Sequence, residues 1–163
     1  MIRTICTLVV LFASAPVGAL DLAGFELGQE LTMMNRADMT RSEGGFCTET
    51  SCRGPKMLGD YAVTVFVQAN PAGRIQLITV SMPAERKAAL LAAAIEKFGK
   101  PSKVVTGEVQ NRFGARFSQA TAAWSMKDGS VVFFERCNAV SESCIAAISN
   151  DFVHPDAGKK LKL

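Results

Sequence analysis

A chain of 163 residues has room for one domain or for two small, similar halves. Hydrophobic residues make up 48% of it, which is enough for a globular core and argues against intrinsic disorder. The formal net charge is only +3 and the basic residues are scattered, which argues against a nucleic-acid partner, since such proteins concentrate their basic residues on one face.

The first 19 residues have the layout of a secretory signal peptide. Arg3 gives a positive start, residues 5–12 form an apolar core, and the small residues that follow suit cleavage before Leu20. A membrane anchor is the alternative, but the apolar run is shorter than the ~20 residues that a spanning helix needs. Cys6 lies at the start of the apolar core rather than after it, and Arg3-Thr4-Ile5 lack the small residues that a lipoprotein site needs, so Cys6 does not fit a lipoprotein cysteine. We therefore expect a periplasmic or secreted protein with no stable membrane span after cleavage.

The four remaining cysteines are expected to form disulfide bonds, because an even number in an exported protein is typical of that use. Four cysteines allow three connectivities. We favour the local pairs Cys47–Cys52 and Cys137–Cys144, since each brackets a short polar segment that a bond would staple. A four-cysteine zinc site is the alternative, but neither pair has the usual Cys-x2-Cys spacing. The absence of a Cys-x-x-Cys motif also argues against a thioredoxin-type role.

The first half of the mature chain reads mainly as strands. A thin apolar stripe predicts a weak helix over residues 29–39, and Gly and Pro residues predict irregular structure over 54–59. Residues 61–67 are rich in β-branched and aromatic side chains and predict a strand. A turn at residues 70–73 leads to a second predicted strand at residues 74–80.

The clearest predicted helix runs from Ser81 to Pro101. Ser81 is a candidate N-cap, Pro83 suits a first helical turn, and Gly99 suits the helix end. Apolar residues recur at helical spacing along it, at Ala84, Ala88, Leu91, Ile95 and Phe98. A stripe of this length needs a broad surface to cover it, and a sheet is the natural partner.

After this helix the pattern weakens and then becomes strand-like again. Residues 102–119 are mixed, and the part around Gly114, with Phe113 and Phe117, is expected to form an irregular strand or a mobile loop. Strands are predicted at 120–126, 130–136 and 144–149, with a tight turn at Lys127-Asp128-Gly129. Together with the strands of the first half, these predict several antiparallel strands.

The predicted fold class is α+β, an antiparallel sheet with one long helix packed on one face. The predicted organisation is a signal peptide at 1–19, a single domain at 20–153 and a polar tail at 154–163. The halves 20–82 and 83–153 each carry a helix, about three strands and one cysteine pair. This order is compatible with a duplicated αβββ unit, but the cysteine pair precedes the hairpin in the first half and ends it in the second, so a single undivided unit is the alternative.

Two short motifs resemble a known group of proteins. These are Gly24-Phe25-Glu26-Leu27-Gly28 before a short helix, and Phe98-Gly99-Lys100-Pro101 after a longer one. They resemble small exported bacterial proteins of the BamE-like outer-membrane assembly type and the β-lactamase-inhibitor-protein-like type. The chain departs from the BamE-like pattern in lacking a lipoprotein cysteine. The resemblance implies a non-enzymatic protein whose sheet face or loops contact other proteins.

The sequence offers little for catalysis or for a cofactor. His154 is the single histidine, and we expect it to be exposed at the start of the tail. Glu135 lies beside bulky apolar residues and is expected to face solvent or to pair with Arg136 or a neighbouring strand. The three methionines at 33, 34 and 39 are soft ligands for copper, but without a nearby histidine we expect them to fill the core. No phosphate-binding loop motif is present.

The best candidate for a functional patch alternates basic and aromatic residues, at Arg112, Phe113, Arg116 and Phe117. A surface strand with alternating faces is the alternative interpretation. We expect a non-catalytic module that binds another exported or envelope protein, with no cofactor and no metal. The alternatives are a small secreted hydrolase using His154 or a carboxylate, and a carrier of a metal or small ligand.

Overall fold

The computed structural model describes residues 20–152 and contains one large antiparallel sheet with two helices. The strands are β1 (Asp21–Leu22), β2 (Phe25–Glu26), β3 (Phe46–Cys47), β4 (Ser51–Leu58), β5 (Tyr61–Ala69), β6 (Ile75–Pro83), β7 (Lys103–Gln110), β8 (Arg116–Met126), β9 (Gly129–Phe134) and β10 (Glu142–Ser149). The helices are α1 (Met33–Thr40) and α2 (Lys87–Phe98), and a 3-10 turn (Ala84–Arg86) precedes α2.

Eight strands form the main sheet in the order β3-β4-β5-β6-β10-β9-β8-β7, while β1 and β2 form a separate small hairpin. Every strand pair is antiparallel. The centre of the sheet is the pairing of β6 with β10, in which Val80 lies opposite Ile145. The predicted α+β class with an antiparallel sheet is therefore confirmed.

Both helices lie on the same face of the sheet. Directly opposite residues of neighbouring strands share a face, and the register connects Gly54 on β4 through Val65, Val80 and Ile145 to Ala122 on β8. Gly54 lies against α1, and Trp124, which shares the face of Ala122, bonds to the end of α2. We call this side the helix face and the opposite side the open face.

The helix face carries most of the core. Alternate residues of the central strands are almost fully buried there, as the alternation of a strand requires: Val63, Val65, Val67, Ile78, Val80, Val131, Phe133, Ile145 and Ala147. The segment before α1 covers part of this face with Leu20, Leu22, Phe25, Leu27 and Leu31. It is anchored by hydrogen bonds from Gly28 N to Ile75 O (2.7 Å) and from Leu31 N to Gly73 O (2.9 Å).

Helix α1 begins at a capping box and packs directly on β4. The Thr32 hydroxyl accepts from Asn35 N, and the Asn35 side chain accepts from Thr32 N. Met39 is buried, whereas Met33 and Met34 are exposed, so the expectation that all three methionines fill the core was wrong. A short helix that packs near the edge of the sheet buries only one of its own sides, so the other sides of α1 face solvent.

Helix α2 is shorter than predicted. Ser81 and Pro83 belong to β6, because β6 continues its pairing with β10 up to Pro83, opposite Glu142. The helix is therefore 12 residues long, preceded by the 3-residue 3-10 turn. Its buried residues are Leu90 and Ala94, while Ile95 of the predicted stripe is 43% exposed.

Two strands form where the sequence pattern did not predict a regular strand. Residues 51–58, expected to be partly irregular, form β4, and residues 103–110, whose pattern is mixed, form β7. Both strands lie at or near an edge of the sheet, where Gly and Pro are tolerated. The duplicated αβββ unit is not supported, since the first half adds the β1–β2 hairpin and the two-residue β3.

A disulfide bond joins Cys47 to Cys52 across the β3–β4 turn, as predicted. Arg36 of α1 grips the same turn by donating to Thr48 O and to Glu49 O. The predicted Cys137–Cys144 bond is not formed in the structure, where both residues are free thiols. No helix within residues 20–152 is both long and apolar enough to cross a membrane.

Candidate interaction site at the tip of the β7–β8 hairpin

The turn between β7 and β8 is a compact, hydrogen-bonded loop that presents two side chains outward. The Asn111 side-chain oxygen accepts from Phe113 N and from Ala115 N, both at 3.0 Å. Asn111 N donates to Ala115 O at 2.9 Å, and Gly114 takes the positive φ of 86° that closes the turn. Arg112 and Phe113 therefore project from a rigid frame, and Phe113 is 78% exposed.

The structure divides the predicted patch into two parts. The Arg112 guanidinium lies over the Phe113 ring, 4.7 Å from its centre. Phe117 is half-buried under the guanidinium of Arg136, at 4.8 Å. Arg116 projects to the other side of β8 and pairs with Glu108 at 3.5 Å. Of the four predicted residues, Arg112, Phe113 and Phe117 thus contribute to one side of the β7–β8 hairpin, and Arg116 does not.

A cleft of about 670 Å³ lies between the hairpin tip and the loop that joins β9 to β10. We call it the hairpin cleft. Its walls are formed by Val109, Gln110, Asn111, Arg112, Phe113, Gln119, Arg136, Cys137, Asn138, Ala139 and Val140. The wall residues come from β7, the β7–β8 turn, β8 and the β9–β10 loop, so only the pairing of β7 with β8 and of β8 with β9 assembles the cleft.

Arg136 fixes the loop side of the hairpin cleft. Its guanidinium donates to Val140 O, within the loop, and to Ser118 O of β8 at 3.4 Å. Stacking on Phe117 holds the plane of the guanidinium. Arg136 therefore links the loop to the hairpin. Sequence reasoning considered it only as a partner of Glu135, because the stacking depends on a residue of the neighbouring strand.

Gln119 supplies the least satisfied polar atom of the hairpin cleft. Its side-chain oxygen is buried and has no hydrogen-bond partner in the described part of the chain. A buried acceptor without a donor costs about 1–3 kcal/mol, so such a group favours a ligand that brings a donor. Nothing in the sequence around Gln119 signals this position, since it depends on what lies opposite it in the fold.

The thiols of Cys137 and Cys144 lie together behind the hairpin cleft. Cys137 is half-buried at the cleft wall, whereas Cys144 is buried within β10. The hydrogen bond from the Cys144 thiol lowers the pKa of Cys137, and the same bond, together with burial, raises the pKa of Cys144. Cys137 is therefore the more reactive thiol of the pair.

The open face of the sheet offers a second concave surface. A cleft of about 380 Å³ lies on it, lined by Phe46, Arg53, Thr64, Phe66, Leu77, Thr79, Ser81 and Asn138. Thr64, Phe66, Leu77 and Thr79 are only half-buried, and no helix within residues 20–152 packs over them. Asn138 lines both clefts, so the β9–β10 loop borders the open face and the hairpin tip together.

Glu135 is a structural residue that ties α2 to the sheet. Its carboxylate accepts from the ammonium of Lys87 at the start of α2 and from Ala120 N at 2.8 Å. These bonds, with Lys87 contributing most, lower the pKa of Glu135 from its ordinary value of 4.5. The expectation that it faces solvent or pairs with Arg136 or a neighbouring strand is corrected in part: its ion pair is with a helix, while its bond to Ala120 is with the neighbouring β8.

Replacing Glu135 by Gln is expected to destabilise the protein at neutral pH by about 1 kcal/mol, because it removes a charged partner of Lys87. A lowered native pKa stabilises the fold above the ordinary pKa, and this contribution is lost as pH falls through the lowered value. Parent and E135Q should therefore converge in stability at acid pH, as measured by urea unfolding at several pH values. Glu108→Gln, in an exposed ion pair, is the control and should change little. A constant difference at every pH would contradict this assignment.

Two further predictions concern metal ligands and the residues near the two ends of the chain. No cluster of three or more His, Cys, Asp or Glu side chains with metal-binding geometry is found between residues 20 and 152. His154, residues 1–19 and the tail at 154–163 lie outside the described residues.

Comparison of the chain with protein-family models, with curated proteins and with solved structures finds no match. The resemblance to BamE-like and β-lactamase-inhibitor-protein-like proteins therefore stays a prediction.

Proposed function

We propose that this chain is an exported, non-catalytic module that binds another exported or envelope protein. The observation that carries the proposal is the hairpin tip, where an exposed aromatic ring and an arginine stand beside a concave surface. Aromatic residues and arginine are enriched in protein interfaces and dominate their binding energy. The resemblance to small exported proteins of BamE-like or β-lactamase-inhibitor-protein-like type supports the same function.

The open face extends the proposed interface beyond the hairpin tip. A specific interface covers about 800 Å² of each partner, which is more than one turn supplies. The β9–β10 loop connects the hairpin cleft with the cleft on the open face, so a single partner reaches both. The half-buried Phe66 and Leu77 of the open face add the apolar contact area.

Site-specific photocrosslinking in the native periplasm tests this function. A photoreactive amino acid in place of Phe113 is expected to give one specific crosslinked product, which mass spectrometry identifies. Met57, 60% exposed on β4 near the opposite edge of the sheet, is the matched control position and should give none. Equal crosslinking from both positions, or none from Phe113, would sink the proposal.

Export has a separate chemical signature in the second cysteine pair. Because the thiols of Cys137 and Cys144 are in contact, an oxidising compartment is expected to close them into a disulfide bond. Exported protein should therefore lack residues 1–19 and four cysteine hydrogens by intact mass. The same chain made in a reducing cytoplasm should keep this pair as thiols, and iodoacetamide should modify Cys137 before Cys144. Two free thiols in correctly exported protein would contradict the predicted bond.

A further inference from the structure

The walls of the hairpin cleft are cationic. Arg112 and Arg136 are the charged residues among its lining side chains, and none of these side chains is acidic. The nearby carboxylate of Glu108 is engaged by Arg116, and that of Glu142 lies 3.5 Å from the Asn138 amide. Since the cleft has positive charge and no lining counter-ion, it is complementary to an anionic group.

Arg112 is free to bind such a group. Within residues 20–152 its guanidinium contacts the Phe113 ring but has no ion pair or hydrogen-bond acceptor. Stacking on a ring leaves the edges of the guanidinium open, and these edges form paired hydrogen bonds with a carboxylate. The Asn111 side-chain oxygen is used by the turn, so its amide nitrogen remains a further donor on the same wall.

Gln119 narrows the class of anion. Its buried, unpartnered oxygen is an acceptor, so it favours a ligand that carries an N–H or O–H donor as well as a negative charge. Acidic peptide segments provide a side-chain carboxylate and backbone N–H groups a few ångström apart. A fully ionised small anion provides charge without the donor.

We infer that the hairpin cleft binds an acidic, extended segment of the partner protein. A carboxylate of this segment bonds to Arg112 and Arg136, and the side chain of Gln119 turns toward the cleft so that its oxygen accepts from a backbone N–H of the segment. Phe113 covers the bound segment from the exposed side. This inference rests on the proposed protein-binding function and specifies the chemistry of the partner.

NMR titration of the ¹⁵N-labelled mature chain tests the inference. The probe is the blocked peptide acetyl-Gly-Glu-Gly-Glu-Gly-amide, and its Gln-for-Glu counterpart is the control. The Glu peptide is expected to shift the signals of Arg112, Gln119 and Asn138, and the Gln peptide should bind at least ~10-fold more weakly, as expected for loss of a charged hydrogen bond. Equal binding of the two peptides, or shifts scattered over the surface, would overturn the inference.

Two variants separate the site from general charge. Arg112→Ala is expected to weaken binding of the Glu peptide about 10-fold or more. Arg41→Ala removes a similarly exposed arginine at the end of α1 and should leave binding unchanged. Gln119→Leu should weaken binding but raise the unfolding midpoint, since it removes a buried unpaired acceptor. Equal losses in the two arginine variants, or no loss in Arg112→Ala, would contradict the assignment.

Competition distinguishes peptide binding from other anions, and crosslinking separates this inference from the function. Inorganic phosphate or a short DNA duplex that displaces the Glu peptide at equal concentration would overturn the peptide assignment.

If Phe113 crosslinks to a partner and Arg112→Ala leaves that product unchanged, the protein-binding function stands and the acidic-segment site falls. If the Glu peptide binds as expected but no partner is crosslinked, the site stands and the proposed function falls.

Discussion

Replacing Trp124 by Ala is expected to destabilise the protein by about 3–5 kcal/mol, the largest effect of any single substitution considered. Trp124 is 2% exposed on the helix face, and its ring packs beside Phe98, with ring centres 6.3 Å apart. Its indole N–H donates to Gly99 O at 2.7 Å, at the residue that ends α2. The substitution therefore removes core volume and the bond that holds the C-terminal end of α2 on the sheet.

Trp124→Phe separates packing from the hydrogen bond. It keeps an aromatic ring but leaves Gly99 O without its donor, so we expect a smaller loss of about 1–2 kcal/mol. Phe113→Ala, at an exposed ring, is the control and should leave stability within about 0.5 kcal/mol of the parent. Urea unfolding of all three variants is followed by circular dichroism rather than by tryptophan fluorescence, because two of the variants lack Trp124, the chain's one tryptophan. A loss under 1 kcal/mol in Trp124→Ala would contradict its role in anchoring α2.

Replacing Gly54 by Ala is expected to destabilise the protein by about 2–3 kcal/mol and to displace α1. A Cβ atom at Gly54 would lie 2.3 Å from the backbone oxygen of Met39, inside the last turn of α1. Because the Cβ atom is fixed to the β4 backbone and the oxygen belongs to the α1 backbone, neither can move aside as the end of a flexible side chain does. Because Arg36 of α1 also grips the turn that contains the Cys47–Cys52 bond, displacement of α1 should loosen that turn as well.

Gly107→Ala is the matched control, since Gly107 lies in β7 and a Cβ atom there would meet nothing within 4 Å. We expect it to be neutral or to stabilise by up to about 1 kcal/mol, because alanine loses less backbone entropy in a strand. Amide hydrogen exchange would locate the effect: Gly54→Ala should speed exchange in α1 and spare α2. Similar stability of the two variants would show that α1 does not rest on Gly54 as closely as the structure indicates.

The central strands could be predicted from sequence because their pattern is local. The β-branched and aromatic side chains of residues 61–67 predicted the strand, and in β5 Val63, Val65 and Val67 are buried and alternate with half-buried neighbours, as a strand's period of two requires. The Cys47–Cys52 pairing was also a local matter, since the two cysteines flank a short turn. Such features depend on residues within a few positions of one another.

The start of α2 and the whole of β7 depend on distant residues. Ser81 looked like a helix cap, but it pairs with Thr64 on one side and with Cys144 on the other, and these pairings keep it in β6. β7 is exposed along nearly its whole length, so it lacks the buried, alternating residues that signal a strand. Its partner β8 holds it in the sheet, and no local sequence pattern predicts that pairing.

The candidate site was predictable in part for the same reason. Arg112 and Phe113 were found because basic and aromatic residues adjoin in sequence. Gln119 and Arg136 were not assigned to it, because Gln119 reaches the hairpin cleft from β8 and Arg136 reaches it from the β9–β10 loop. Only the register of β8 with β9 brings these walls together.

The central pairing of β6 with β10 has a consequence for how the chain matures. β10 is the last strand of the described chain, yet it lies between β6 of the first half and β9 of the second. The sheet therefore cannot close until the C-terminal region has been synthesised and, in an exported chain, has crossed the membrane. Pairing across so long a sequence separation folds slowly, in the millisecond-to-second range, which favours transport before folding is complete. Until β10 pairs, the edges of β6 and β9 that it covers remain unpaired and open to strands of other chains.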